Sequence, residues 1–327
     1  MPSFPRFRSR LLFLLPLLLA VGDAPPLFAD DTMDWPIRVR VFRPAVTIVE
    51  EGRDGGVYRT EHFEFRSDTR LSRGLVAQFG EIFESTYATV KALPLGLDPQ
   101  PPENGYFITV LFTRVEDYHA AGGLPGSGGT YQRRQDRIII PLGNLGVRPS
   151  SSGLTYDRHG DNSTLIHEIT HQVMRPWLGR IPPWLVEGMA TWMETLPYSR
   201  GTFQVRQHFP RDYLDDRART MGRPLPVTPV EELMTLSHRE WNAHFGQDVP
   251  ALRRNYHSAL VLTHFFLRMD GDGDGAPMAA YLRAVRGGMP EREARDRFLL
   301  RDRSFEELQT EMIRAYGRRG VRLTAGG

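Results

Sequence analysis

The sequence predicts an α+β protein, with an N-terminal mixed β-sheet interleaved with helices and a C-terminal part that is mostly helical. Three observations carry this. Short apolar runs bounded by Gly and Pro recur between residues 30 and 141, as strands require. From Asn162 onward the apolar residues fall instead at intervals of three and four, the period of helices packed on one face. With 40% hydrophobic and 24% charged residues, the composition is that of a folded chain, neither disordered nor polytopic in a membrane. A length of 327 residues suffices for a substantial core in one large domain or two smaller ones.

Residues 1–29 read as a secretory signal peptide. Arg6, Arg8 and Arg10 precede an apolar run over residues 11–21, which falls short of the roughly 20 residues that cross a bilayer as a helix. Cleavage is expected after Gly22 or Ala29, and the protein is expected in the periplasm or outside the cell. Removing residues 1–29 takes away those three arginines and Asp23, which brings the formal charge from +2 to zero. A neutral protein has no general electrostatic reason to seek nucleic acid or anionic lipid. There is no cysteine, hence no disulfide and no thiolate metal site. No second apolar stretch approaches membrane length, so no stable span is expected after cleavage.

Residues 30–160 should form the α+β part. A lead-in punctuated by Pro36, Pro44, Gly52, Gly55 and Gly56 leaves room for a small strand or two, such as Ile37-Arg38-Val39-Arg40-Val41. His62-Phe63-Glu64-Phe65 alternates as a strand, and residues 69–93 carry Leu71, Leu75, Phe79, Ile82, Phe83 and Val90 at helical spacing. A proline-rich loop over 94–105 leads to the strongest strand, Tyr106 through Phe112, expected near the centre of the sheet. A short helix over 115–121 and a glycine-rich loop over 122–129 precede strands at Thr130-Tyr131 and Arg137–Pro141. Residues 161–327 should form the helical part, with helices over 162–175, 183–195, 228–235, 252–269, 276–286, 290–299 and 304–318. Thr228-Pro229-Val230-Glu231 and Ser304-Phe305-Glu306-Glu307 have the form of capping boxes that open two of them.

The chemistry is concentrated in His167-Glu168-Ile169-Thr170-His171. Residues four apart on a helix lie one turn above each other, so both imidazoles can reach one ion, with Glu168 beside it. Two neutral imidazoles and a third protein ligand leave a position for water, which zinc acidifies and a neighbouring carboxylate can deprotonate. The flanking Leu165, Ile166, Ile169 and Val173 are apolar, so the helix is buried and its polar residues need partners or a metal. A third ligand is suggested by Pro182-Pro183-Trp184-Leu185-Val186-Glu187-Gly188-Met189-Ala190, where two prolines can open a helix that carries Glu187 in its first turns.

This pairing, His-Glu-x-x-His followed by Trp-Leu-x-Glu-Gly-x-Ala, resembles the gluzincin or peptidase MA-like zinc metallopeptidases, including exported bacterial members of uncharacterised function. The resemblance is strong over 162–194 and loose elsewhere. It implies a zincin-like fold with one Zn2+ ion between the two parts, held by His167, His171 and Glu187. It also implies Glu168 as general base and a peptide or protein as substrate. A metzincin pattern fails, because Trp177 and Met174 occupy its third-histidine and glycine positions. The alternative is a secreted zinc-containing binding or scaffold protein without turnover, for which the carboxylate of Glu168 has no evident use.

Gluzincins usually carry a further tyrosine or histidine that steadies the oxyanion. Tyr256, with His257 as the other candidate, is expected to supply it; core packing is the plain alternative for both. Thr191 stands where thermolysin-like members have a histidine-supporting aspartate, which leaves Glu194 and Asp161 as candidates for that support. Because the strand Arg137–Pro141 precedes the metal helix, the resemblance makes it a candidate edge strand for extended substrates. His244 and His264 are expected to be structural. Asp270-Gly271-Asp272-Gly273-Asp274-Gly275 opens like a calcium loop, but Tyr281 at the twelfth position cannot supply the closing carboxylate, so a polar turn is expected.

Overall fold

A computed structural model describes residues 33–151, 153–157, 160–243 and 249–326. The expected signal peptide and His244 lie outside these residues.

The lead-in is more ordered than its Pro and Gly content suggests. It forms β1 (Arg38–Arg40) and a hairpin of β2 (Thr47–Gly52) and β3 (Gly55–Arg59). β4 (Phe63–Ser67) is followed by α1 (Arg73–Ala92), β5 (Phe107–Phe112), α2 (Val115–Ala120), β6 (Thr130–Gln132) and β7 (Arg137–Pro141). These strands make one mixed six-stranded sheet in the order β2-β3-β4-β5-β7-β6. β4, β5 and β7 run parallel, and the remaining pairs are antiparallel. As expected, Phe107 to Phe112 is central.

Helix α1 starts later than residue 69 because Ser72 caps it, its hydroxyl accepting the Leu75 N–H at 3.2 Å. Such a cap is worth about 1 kcal/mol. The helix lies on the sheet through aromatic rings. Phe65 meets Phe79 and Phe83 edge-on with centroids 5.1 and 4.9 Å apart, and Phe63 meets Phe83 at 5.2 Å. Each such pair adds about 0.5–1.5 kcal/mol to the burial of apolar area.

A ribbon of β8 (Val147–Ser150) and β9 (Gly153–Tyr156) leads to α3 (Ser163–Val173) and α4 (Pro183–Thr195). β10 (Tyr198–Ser199) and β11 (Thr202–Gln204) form a hairpin that returns to pair with β1. Then come α5 (Arg211–Met221), β12 (Leu225–Val227), α6 (Val230–Thr235), α7 (His238–Ala243), α8 (Val249–Arg268) and α9 (Ala276–Arg286). The chain closes with α10 (Glu291–Ala294), a π-helical turn at Arg295–Leu300, α11 (Phe305–Arg318) and β13 (Leu323–Ala325), which lies parallel to β12. Residues 33–327 group as one compact unit, and among the described residues no helix is long and apolar enough to cross a membrane.

Three expectations need correction. The strand Arg137–Pro141 is not an edge: β7 is flanked by β5 and β6, and the exposed edge on that side belongs to β6. Thr228 does not close a capping box, because its hydroxyl donates to Asn255 Oδ1 at 2.6 Å while Gln309 Oε1 takes the first free N–H of α6, that of Val230. Ser304 and Glu307 do form theirs, each side chain bonded to the other's backbone. The helix expected over 290–299 is regular only through Ala294 before it widens into the π-helical turn. The Asp-Gly repeat is a polar turn, as expected. Asp270 is buried there against Arg301 and Arg303, at 2.7 and 2.9 Å.

Candidate metal centre

Helix α4 is apolar nearly all round. Trp184, Leu185, Val186, Met189, Ala190, Trp192 and Met193 are buried, and Trp184 packs on Phe266 while Trp192 meets Trp35. Among its last nine residues only Glu187, Glu194 and Thr195 escape full burial. Glu194 follows Glu187 by seven positions, about two turns, so the two glutamates share one face. A pair of carboxylates on an otherwise buried helix requires partners, and α3 supplies them.

His167 and His171, one turn apart on α3, turn toward that face with their rings 4.7 Å apart and nearly perpendicular. His167 Nδ1 donates to Glu194 Oε2 at 2.8 Å, which fixes the tautomer and leaves Nε2 as a lone pair. His171 Nε2 lies 3.0 Å from His167 Nε2, and Glu187 Oε2 lies 3.3 Å from both. Glu187 Oε2 is buried yet in hydrogen-bond geometry with neither ring. A tetrahedral ion with bonds of about 2.0–2.1 Å sets its ligand atoms roughly 3.3 Å apart. The three atoms are therefore spaced as such an ion requires, and they form a group able to hold a metal. Burial pushes the Glu187 carboxyl up, but with no ion bound the positive charge that the two facing imidazoles carry when protonated outweighs it and holds the group well below the usual carboxylate range.

Glu168 projects from the same turn as His167. Its Oε2 accepts the backbone N–H of Tyr131 at 2.8 Å, which ties the carboxylate to the edge strand β6. That N–H faces away from β7, because it is spent on Glu168 rather than in the ladder. Tyr131 is itself pinned, its phenol donating to Asp136 Oδ1 at 2.6 Å, with Arg175 Nε 2.5 Å from Asp136 Oδ2. Burial raises the Glu168 carboxyl above its ordinary value despite the two histidines, so it is a stronger proton acceptor than a surface glutamate.

Tyr256 comes to the centre from α8, its ring 6.2 Å from that of His167 and edge-on to Trp241 at 5.6 Å. Burial pushes its phenol far up, so it remains a hydroxyl donor. Gly188 sets this approach. A Cβ there would stand 2.5 Å from the Ala259 carbonyl oxygen and 2.1 Å from Thr263 Oγ1, so the crossing of α4 and α8 requires the residue directly after Glu187 to be glycine.

The structure thus brings together His167, Glu168, His171, Glu187 and Tyr256, with Glu194 as the partner of His167. It does not bring in His257, whose ring nitrogens face the carbonyls of Arg253 and Pro226 at 2.9 and 2.6 Å and tie α8 to β12. Asp161 is spent on the Ser163 N–H at the start of α3, and His264 bonds the Tyr316 hydroxyl at 2.9 Å in the core. Sequence reasoning missed Tyr131 as part of the site. Its contact is made by the main chain, which leaves no side-chain signature. No family model matches the chain, and no curated protein matches it in a sequence search.

Proposed function

We propose that the chain is an exported zinc-dependent peptidase of the gluzincin type, with one zinc ion held by His167, His171 and Glu187 in a zincin-like arrangement between the sheet-bearing and helical parts. The observation that carries this reading is the spacing of the three ligand atoms at 3.0, 3.3 and 3.3 Å around a point to which no hydrogen bond of Glu187 Oε2 is directed. An imidazole pair with one carboxylate is the donor set of a hydrolytic zinc site. Zinc in this place supplies Lewis acidity toward water and a peptide carbonyl.

The remaining work falls to the chain's own groups. Glu168, held by the Tyr131 N–H, accepts the proton of the attacking water and passes it to the leaving amine. Tyr256 donates its hydroxyl to the oxygen that gains charge as the carbonyl is attacked. Glu194 keeps the lone pair of His167 Nε2 aimed at the ion. A basic stretch before a short apolar run in residues 1–29 supports export.

The test is Glu168→Gln, which keeps shape and removes the base. With casein or another denatured protein as substrate, hydrolysis should stop in chelator and fall about 10²–10⁴-fold in the variant, while zinc content stays at the parental level. A variant that hydrolyses as fast as the parent removes Glu168 from the mechanism. A zinc-loaded parent with no hydrolysis of any denatured protein favours a binding role without turnover.

A further inference from the structure

Five arginines gather where the turn between β6 and β7 meets the end of α3: Arg133, Arg134 and Arg137 on the turn, Arg175 and Arg180 after the helix. Asp136 is the one acid among them, and it is taken by Arg175 at 2.5 Å and by the Tyr131 hydroxyl at 2.6 Å. Between Asp136 and Asp157, and again between Glu168 and Glu187, the sequence has no Asp or Glu. Arg133, Arg134 and Arg180 are exposed and have no carboxylate partner among the described residues, and Arg137 donates its Nε–H to the neutral Gln132 side chain at 2.8 Å. The formal charge of the whole chain is only +2, so this excess of cations is local.

The turn and the loop after α3 touch. A Cβ at Gly179 would stand 2.6 Å from Arg133 Nη2, so that guanidinium lies against the backbone next to Arg180. The patch also borders the metal centre. Tyr131, whose N–H holds Glu168, precedes Arg133 by two positions, at most about 7 Å of extended chain. Arg175 follows His171 by four positions, about one helical turn. Burial raises the Tyr131 phenol while the charges of Arg175 and Arg133 act against it, so both guanidinium groups stand within electrostatic reach of that ring.

We propose that this patch binds an acidic side chain of an extended peptide lying beside β6, which makes peptides with Asp or Glu two or three residues from the bond cut the preferred substrates. The spacing follows from reach, since an extended peptide advances about 3.4 Å per residue. A guanidinium presents a planar pair of N–H donors that matches a carboxylate, so arginines not already paired select for Asp and Glu. A field of one sign also concentrates ligands of the other and raises their encounter rate about 10–10³-fold at low salt. Nucleic-acid binders neutralise on the order of 6–10 phosphates, more than three unpaired arginines supply, so a short acidic segment is the better match. The cutting of such peptides rests on the peptidase reading; their binding does not.

Fluorescence anisotropy of the full chain in chelator, where nothing is cut, tests the binding with three labelled decapeptides: alternating Ala and Glu, Ala and Gln, and Ala and Lys. At low salt the Glu peptide should bind at least about tenfold more tightly than the Gln peptide, and the Lys peptide most weakly. The difference should vanish near 1 M salt, where the screening length falls to about 3 Å. In Arg133→Gln and in Arg180→Gln the Glu-to-Gln ratio should fall toward one, and Arg180→Glu should reverse the order of the Glu and Lys peptides. Arg180 is exposed, so its variants decide the matter if Arg133→Gln does not fold. With zinc, internally quenched versions of the three peptides should follow the same order in kcat/KM. Equal binding of the Glu and Gln peptides, an unchanged ratio in folded variants, hydrolysis indifferent to peptide charge, or a labelled oligothymidylate that binds as tightly as the Glu peptide overturns the proposal. If the Glu peptide binds as expected but zinc supports no hydrolysis of any peptide or denatured protein, the peptidase reading fails and the acidic-peptide site stands.

Discussion

Glu194 shows how a residue of modest sequence signal acquires a definite role. It lies two turns beyond Glu187, accepts the Nδ1–H of His167, and thereby decides which imidazole nitrogen is free. Replacing it by Gln leaves a neutral amide that can still accept this proton but no longer offsets charge on the ring. Glu194→Gln should therefore weaken zinc binding or activity about 10–100-fold, measured by competition with a chromogenic chelator, while far-UV circular dichroism stays parental. Unchanged zinc affinity and turnover would show the Glu194 contact to be incidental. His167, Glu168 and His171 were legible because side chains at fixed helical spacing share one side of a helix, and Glu187 because Pro182-Pro183 opens a following helix with the Trp-Leu-x-Glu-Gly-x-Ala pattern in its first turns. Choosing between Glu194 and Asp161 required knowing which face of α4 meets α3, which no spacing within one segment reveals. Tyr131 N–H was invisible for a simpler reason, as every residue but proline has one.

The element scale is governed by how closely α4 and α8 cross. The glycine after Glu187 reads in sequence as a helix-weakening residue, worth up to about 1 kcal/mol against alanine; in the fold it is the contact point that lets Tyr256 reach the centre. Gly188→Ala should consequently destabilise the protein by about 1–3 kcal/mol through overpacking, despite the higher helix propensity of alanine. Thermal and urea unfolding measure this, and a variant as stable as the parent would show that the helices can part without cost. Other elements were legible to unequal degrees. The helices around α4 carry apolar residues at helical intervals, whereas α5 buries only Leu214, among Arg, Asp and Thr, and so gives no periodic signal. The edge role went to β6 rather than β7 because it depends on strand order, and a three-residue strand after a glycine-rich loop announces little. At Thr228, a capping pattern was present but the hydroxyl was claimed by Asn255 across the fold, a long-range competitor that local pattern cannot foresee.

For the molecule as a whole, folding buries ionisable groups whose protonation then couples to stability. Burial holds His208 down at about 4 and His264 at about 3, against an ordinary value of 6.5. His208 donates from Nε2 to Thr195 Oγ1 at 2.9 Å, since the threonine proton is already given to the Trp192 carbonyl. With the folded-state pKa depressed, the unfolded chain takes up a proton below about pH 6.5 that the folded chain refuses. Stability contributed by the neutral ring is complete above that pH and is lost as pH falls from about 6.5 toward 4, by up to about 1.4 kcal/mol per pH unit for each histidine. Urea unfolding of the parent and His208→Gln between pH 7 and 4.5 should give curves whose slopes differ by about that amount. Parallel curves would show that His208 titrates normally in the fold. The coarse architecture, α+β with a mixed sheet followed by helices, followed from periodicity alone, since periods of two and near 3.6 are set by burial and survive without knowledge of partners.

The most direct test of the metal centre is zinc stoichiometry and affinity by calorimetric titration of the chelator-treated chain, beside His171→Ala and Glu187→Ala. One ion per chain should bind tightly to the parent, and both variants should lose it or bind far more weakly, because each removes one of the three converging ligand atoms. A parent that takes up no zinc, or a Glu187→Ala variant that binds it as tightly as the parent, would contradict the shared site.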